Sequence, residues 1–545
     1  MLTYSRRKLD LNGEWGFYPD PFHRFLRQKW YEKDRESGKT FPCYDKYVNK
    51  VTVPHDWNAQ DNELKYYFGM SVYLKEFSAD LSGQEAWLCF DGVNAECGVY
   101  LNGRFVGNHD GGYSPFSMNV TEFIEEKNIL WVTVDNTIRR DSVPSDLYDW
   151  WNDGGIYRDV SLVFTPKNYI SDFQVTTAVS DDYVVLDIAV NTNCEDKSFK
   201  VSIDELSVSK EGRGRASIKV KRDNIALWSP ETPKIYRISI TTETDKIYED
   251  MGFRELKAVG KEIHLNGEKI FLKGVNFHEE YKNNGRVYSH SDELFLIFHD
   301  LGLNFIRGAH YPKCEEFVRR CEREGIMLWE EIPVYWNIYW DENGVYEIAE
   351  RMILETVNRD INRASVIIWS VGNEMAKDVS NAPYIIKLAA AVRNADSSRF
   401  ISYACSWYDD GKIGMPDELY DSLDIISFNY YSGYNDGSPE EHENAARAYA
   451  VFKKPVITSE FGAFSLKGSN EEPYSEDKHI DTFKRQFDSL IKSGEVSGVS
   501  PWHFSDMRTP LYHLHEANGM CRYGFVDEGW EPKKVYYTLK EKYEG

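Results

Sequence analysis

Two stretches of this sequence end an apolar, β-branched run in a carboxylate. One is Ile367-Ile368-Trp369-Ser370-Val371-Gly372-Asn373-Glu374 and the other is Pro455-Val456-Ile457-Thr458-Ser459-Glu460-Phe461-Gly462. Runs of this kind read as buried strands, so each glutamate is delivered to the C-terminal end of its strand. Two carboxyls on different strands can cleave a glycosidic bond as general acid and nucleophile. With about 5–5.5 Å between them, the reaction passes through a glycosyl-enzyme intermediate and retains the anomeric configuration. One of the two must stay protonated near neutral pH, which burial or the charge of its neighbour achieves. Asn373, beside Glu374, offers an amide able to hydrogen-bond a sugar hydroxyl.

The elements that would position these residues begin near residue 260, where apolar strands alternate with amphipathic, helix-length stretches. Eight strand candidates follow: Ile270–His278, Asn304–His310, Ile326–Pro333, Val366–Glu374, Phe400–Cys405, Asp424–Tyr431, Pro455–Ala463 and Val496–Asp506. Helix candidates such as Lys313–Glu324 and Tyr384–Ala395 separate most of them, although none is evident after Cys405. Number and size predict a (β/α)₈ barrel over residues 259–545. A doubly wound sheet is the alternative, but the Gly-rich phosphate loop that usually follows its first strand is missing. In barrels of this kind the active site lies at the C-terminal ends of the strands. Those ends carry His278, His310, Glu330, Glu331, Asn373, Glu374, Tyr431, Glu460 and Trp502.

Residues 1–165 and 166–258 read as two all-β units of short alternating runs broken by turn residues. The first predicts a β-sandwich and the second an immunoglobulin-sized sandwich. The balance of 64 Lys+Arg against 88 Asp+Glu gives a net charge of −24, which opposes nucleic acid and anionic membranes as partners. Eight cysteines, at 43, 89, 97, 194, 314, 321, 405 and 521, form no C-x-x-C pair. Their scatter predicts reduced thiols and a cytoplasmic setting rather than a zinc ribbon or a redox motif. No run reaches membrane-spanning length, and Arg6-Arg7 is followed by polar residues where an export signal needs apolar ones. The expected partner is a small glycoside or oligosaccharide, with a homo-oligomer possible and neither cofactor nor metal required.

Several motifs together resemble glycoside hydrolase family 2, and within it the β-glucuronidase branch. Leu11-Asn12-Gly13-Glu14-Trp15, Val53-Pro54-His55-Asp56-Trp57 and the segment from Asp149 to Arg158 are similar to its sugar-binding jelly-roll sandwich. Gly274 to His278, Asn304 to Pro312, Trp329 to Pro333, Gly372-Asn373-Glu374 and Ser459 to Ala463 are similar to its barrel strands. The resemblance implies a retaining exo-β-glycosidase with Glu374 as acid/base and Glu460 as nucleophile. It implies further that Asn373 binds the 2-hydroxyl, that Tyr431 hydrogen-bonds the nucleophile and that His310 lines the glycone pocket. Asp149 would reach in from the sandwich and Trp502 would floor the pocket.

One segment departs from the pattern. Where β-glucuronidases carry an Asn-x-Lys grip for the substrate carboxylate, this chain has Met520-Cys521-Arg522-Tyr523-Gly524. Arg508 and Arg522 lie in the same region, and an arginine fork suits a carboxylate. A neutral sugar such as galactose is therefore the competing glycone. Two readings from other classes are a metal-dependent barrel hydrolase built on His278 and His310, and a catalytically silent carbohydrate-binding protein.

Overall fold

The structure is a computed structural model that describes residues 5–32, 49–282, 285–375, 379–406, 408–409, 412–434, 437–472, 474–511 and 519–544. Cys43 lies outside them. Among the described residues the other cysteines are free thiols, and no helix is long and apolar enough to cross a membrane.

Alternating side chains build the first unit as two antiparallel sheets. One runs Lys8–Asp10, Val160–Thr165, Glu85–Phe90, Phe116–Asn119. The other has six strands in the order Asn49–Val53, Gly13–Pro19, Met70–Ser78, Lys127–Asp135, Glu96–Leu101, Arg104–Asp110. Their inner faces bury Trp15, Phe17, Trp57, Tyr73, Leu88, Phe90 and Val132. The second unit has seven strands, three (Ile170–Val179, Tyr183–Thr192, Arg215–Lys221) facing four (Val208–Arg213, Ser198–Ile203, Tyr236–Thr241, Lys246–Met251). The two layers are joined only at Arg213 and Arg215, which gives an immunoglobulin-like sandwich. The expected boundary at 165/166 falls at the end of Val160–Thr165, and that at 258/259 falls inside the strand Leu256–Val259.

The barrel closes with eight parallel strands in sequence order: β1 Leu272–Asn276, β2 Phe305–Gly308, β3 Met327–Glu331, β4 Val366–Asn373, β5 Phe400–Cys405, β6 Ile426–Asn429, β7 Val456–Glu460 and β8 Val496–Val499. Every residue of β4 is buried, as strands covered by helices on one side and core on the other require. Among the described residues a helix follows each strand: α1 Glu293–Asp300, α2 Glu315–Glu324, α3 Val345–Asp360, α4 Ala382–Ala395, α5 Asp417–Ser422, α6 Glu441–Tyr449, α7 Glu476–Ser493 and α8 Lys534–Glu544. The connection after Cys405 thus contains α5. At six residues it is too short to display a 3.6-residue hydrophobic period, which is why the sequence showed none.

A further element escaped the sequence reading. Leu256–Val259, Glu262–Leu265 and Glu268–Ile270 form a three-stranded antiparallel sheet. Ile263 and Leu265 from it pack with Leu272, Phe305, Met327, Ile367, Phe400 and Ile457, closing the N-terminal end of the barrel. At the other end the first sandwich is bolted to the barrel. Arg158, 3% exposed, donates to Glu279 at 2.5 Å and to the Pro312 carbonyl at 2.5 Å. Arg286 holds Asp153 at 3.1 Å and the Trp151 carbonyl at 2.9 Å. These bonds fix the loop that carries Asp149.

Removing one partner of a buried ion pair leaves an uncompensated charge, a loss of about 3–5 kcal/mol. Arg158→Met should therefore lower the urea midpoint of the folded protein by that equivalent. A change of less than about 1 kcal/mol would mean that the pair does not hold the sandwich to the barrel.

Candidate active site

The ends of the strands set the site. β4 finishes at Gly372-Asn373 and the chain then turns sharply. Gly372 has φ +154°, and a Cβ there would lie 2.9 Å from the Val334 carbonyl oxygen, so only glycine passes. Glu374 follows with φ 47°, an unusual conformation for a residue with a side chain and one that collects at functional sites. Glu374 Oε1 accepts from Asn429 Nδ2 at 2.8 Å, and Oε2 accepts from Trp336 Nε1 at 3.0 Å. Both donors are neutral.

Glu460 ends β7 and is 5% exposed. Its Oε1 accepts from the Arg307 guanidinium at 2.6 Å and its Oε2 from the Tyr431 hydroxyl at 2.8 Å. Arg307, on β2, also donates to Glu331 at 3.0 Å, Asn276 Oδ1 at 3.0 Å and Asn373 Oδ1 at 2.8 Å. Asn429 links the two sides. It donates to Asn373 Oδ1 at 3.0 Å and accepts from Ser459 Oγ at 2.7 Å.

Burial pushes both catalytic candidates up. Desolvation raises Glu460, with Arg307 opposing the rise and Glu374 adding to it. Glu374 is raised by the same desolvation against the hydrogen bonds from Asn429 and Trp336. Two buried carboxyls that repel one another keep one proton between them near neutrality. The donors decide where it rests. An ionised Glu460 faces a guanidinium and a phenol, whereas Glu374 meets only an amide and an indole, so the proton belongs on Glu374. Glu331 stays ionised, held down to about 2 against its burial by Arg307 and His310.

His310 and Trp502 form one wall. Their rings stack at 5.1 Å and 21°, with Trp150 on the other side of the imidazole at 5.8 Å. Burial lowers His310 to about 4 against its Glu331 bond, so the ring is neutral at pH 7. Its Nδ1 meets Glu331 at 2.7 Å, and its Nε2 stands 3.8 Å from Glu460. Asp149 arrives from the sandwich; burial raises it to about 7, with a hydrogen bond from Tyr335 opposing. Asp149 Oδ1, His278 Nε2 and Asn373 Nδ2 are buried without a protein partner. Unpaired polar atoms in a buried site are costly, and sugar hydroxyls would satisfy them. Asp149, His278 and His310 also offer ligand atoms within 4.8 Å of one another, a set that could hold a metal.

Seven of the residues singled out from sequence therefore converge on one mouth: Asp149, His310, Asn373, Glu374, Tyr431, Glu460 and Trp502. Arg508 and Arg522 do not present free cations to it. Arg508 pairs with Asp153 at 2.9 Å and with Glu280, and Arg522 pairs with Asp506 at 3.0 Å and with Glu528. Each guanidinium is engaged by two carboxylates, which departs from the free fork expected for a uronate, although Asp153 is shared with Arg286 and Asp506 with Lys533. Cys521 packs with Trp502, Ala309 and Met507, while Tyr523 meets Tyr431 edge-on at 5.8 Å. Sequence reading assigned no role to Arg307, Glu331, Trp336 or Asn429. The arginine did leave a trace, as a charge inside the apolar run Phe305-Ile306-Arg307-Gly308. Trp336 left none.

Comparison with known proteins agrees along the whole chain. Residues 256–544 match "Glycosyl hydrolases family 2, TIM barrel domain", residues 8–166 match its sugar binding domain and residues 168–254 match "Glycosyl hydrolases family 2". A relative from Formosa agariphila is 29% identical over 90% of this chain and 66% of its own length. The β-glucuronidase of Sus scrofa is 26% identical, covering 99% of this chain and 91% of that protein. The solved β-glucuronidase of an uncultured Clostridium sp. superposes with a TM-score of 0.88 at 26% identity, over 99% of this chain and 98% of the other. With half the chain and more matched by the barrel domain alone, this protein belongs to glycosyl hydrolase family 2 and is a glycoside hydrolase.

Proposed function

We propose that this protein is a β-glucuronidase-like, retaining exo-β-glycosidase in which Glu460 is the nucleophile and Glu374 the acid/base. The observation that carries this assignment is the unequal pair of donor sets on the two carboxyls. Glu460, ionised and aligned by Arg307 and Tyr431, attacks the anomeric carbon. Glu374 gives its proton to the glycosidic oxygen as that bond breaks. The covalent glycosyl-Glu460 then forms, which removes the Glu460 charge from beside Glu374. Glu374 next removes a proton from the incoming water, which attacks the same carbon and releases the sugar with retained configuration. Asn373, through its unpaired Nδ2, donates to the 2-hydroxyl. Asp149, His278 and His310 hold the outer hydroxyls over the Trp502 floor, so their convergence serves the sugar and not a metal. Tyr431 orients Glu460 and, by donating to it, favours its ionised form.

The glycone has two candidates. The similarity to β-glucuronidases favours a uronate. The commitment of Arg508 and Arg522 to protein carboxylates, with Cys521 and Tyr523 in the wall, favours a neutral sugar. Whichever sugar is used, its carboxylate or hydroxymethyl group must be met by that wall.

A 2-fluoro glycoside of the preferred sugar should label Glu460, read by peptide mass spectrometry. Label on any other residue removes Glu460 from the nucleophile's role. Glu374→Gln should lower turnover of poor leaving groups by about 10³-fold or more while largely sparing the first step on activated aryl glycosides. In the wild type, kcat/KM should fall on the alkaline side as the pair loses its remaining proton, a loss that burial of Glu374 moves above the ordinary carboxylate range. Glu374→Gln on an activated substrate should lose that alkaline limb, because the glutamine carries no proton to lose and no longer opposes ionisation of Glu460. An unchanged limb would place the titration elsewhere. Side-by-side rates on nitrophenyl β-glucuronide, galacturonide, galactoside, glucoside and mannoside identify the glycone. If Arg522 contributes to a uronate grip, Arg522→Ala should reduce only the uronides, by about tenfold or more.

A further inference from the structure

At the N-terminal end of the barrel, opposite the carboxyl pair, a cavity of about 260 Å³ lies where the immunoglobulin-like sandwich meets the starts of β4 and β5. Two arginines stand in its wall, Arg254 at 7% exposure and Arg399 at 5%. Arg399 is balanced by Asp396 at 2.9 Å and also donates to the Val366 and Arg363 carbonyls at 2.9 and 2.8 Å. Arg254 has no such counter-ion. Its three hydrogen bonds go to the carbonyl oxygens of Val366 at 2.7 Å, Ala364 at 3.2 Å and Ser398 at 3.3 Å. A guanidinium has five N–H groups, so two on Arg254 remain.

The rest of the wall does not cancel this charge. Glu255 is the only acid lining the cavity among the described residues, and it is already paired with Lys257 at 2.8 Å while accepting from the Val179 N–H at 3.1 Å. Thr176 and Ser397 line the same space; Thr177, which pairs with the core residue Leu186, turns its side chain into the sandwich instead. Burial and the neighbouring Arg399 hold Arg254 well below the ordinary arginine range, with the charges of Asp396 and Glu322 opposing from beyond ion-pair distance. Carbonyl dipoles alone offset a buried charge only in part.

We propose that this cavity is an anion site that takes a phosphate group, bound by the two remaining N–H groups of Arg254 and by the threonine and serine hydroxyls. A tetrahedral oxyanion matches convergent donors of mixed type, and the arginine fork spans two of its oxygens. The volume exceeds that of inorganic phosphate and leaves room for a sugar-sized ester. Both arginines hold the carbonyl of Val366, the first residue of β4, so occupancy braces the root of the strand whose far end is Asn373. The signature is then stabilisation without competition at the catalytic mouth.

Thermal unfolding and ³¹P NMR titration of the whole protein with inorganic phosphate, and separately with glucose 6-phosphate, test this at constant ionic strength set by NaCl. The expected result is a saturable rise in Tm with at least one of the two, with KM on an aryl glycoside unchanged at saturation. Tighter binding of the ester identifies a phosphorylated sugar as the ligand; equal or better binding of phosphate identifies the free ion. Arg254→Gln should weaken binding by about tenfold or more. Because Arg254 also holds three carbonyls, Thr176→Val offers a variant that leaves those bonds intact and should weaken binding about three- to tenfold. The proposal is overturned if neither phosphate nor the ester binds saturably up to about 20 mM, if binding competes with substrate, or if folded Thr176→Val binds both as the wild type does.

Discussion

Arg307 is the constraint around which the active mouth is organised. It is fully buried, and a buried cation is tolerated only when anions and acceptors surround it. Glu331 and Glu460 supply the charge, while Asn276 and Asn373 supply neutral acceptors. Those partners come from β1, β3, β4 and β7, so one side chain draws together four strands. The same bonds solve a chemical problem. They oppose the protonation that burial favours at Glu460, and no such cation bonds Glu374.

The remaining parts of the mouth follow from that arrangement. Glu331 is pinned by Arg307 and in turn fixes the His310 ring through Nδ1, which leaves Nε2 turned toward the pocket. Trp150 and Trp502 clamp the ring between them. Trp150 and Asp149 belong to the sandwich, not the barrel, and reach the site because Arg158 and Arg286 anchor their loop. The first sandwich is therefore part of the active site's wall, and interdomain ion pairs set catalytic geometry at a distance. At the opposite end the logic is reversed. Arg254 is a cation whose own surroundings leave it under-compensated, which distinguishes it from Arg158, Arg307 and Arg399.

Much of the fold was legible because its signals are local and repeated. Eight apolar runs at regular intervals, each ending in polar or aromatic residues, state both the strand count and the end on which the mouth lies. The two glutamates were legible for the same reason, since each closes an unbroken buried strand. The short helix α5 and the sheet spanning residues 256–270 were not, because neither is long enough to express a period. Their existence depends on burial against the barrel. Trp336 was invisible for a different reason. It lies past the end of β3 and reaches Glu374 only through the curvature of the barrel.

The sequence by itself determined the architecture and the reaction class, because periodic burial and strand-end carboxyls are written in consecutive residues. Only the tertiary structure decided which donors each carboxyl meets, since those that distinguish Glu374 from Glu460 come from β2, β6 and two loops far apart in the chain. It also decided the fate of Arg508 and Arg522. Near Cys521 they read as cations free to meet a substrate, yet a cation's availability depends on who else is within reach. Glu280 and Asp153 claim one, and Asp506 and Glu528 claim the other. Electrostatic pairing is a property of distance in space, and that is the quantity a linear sequence does not carry.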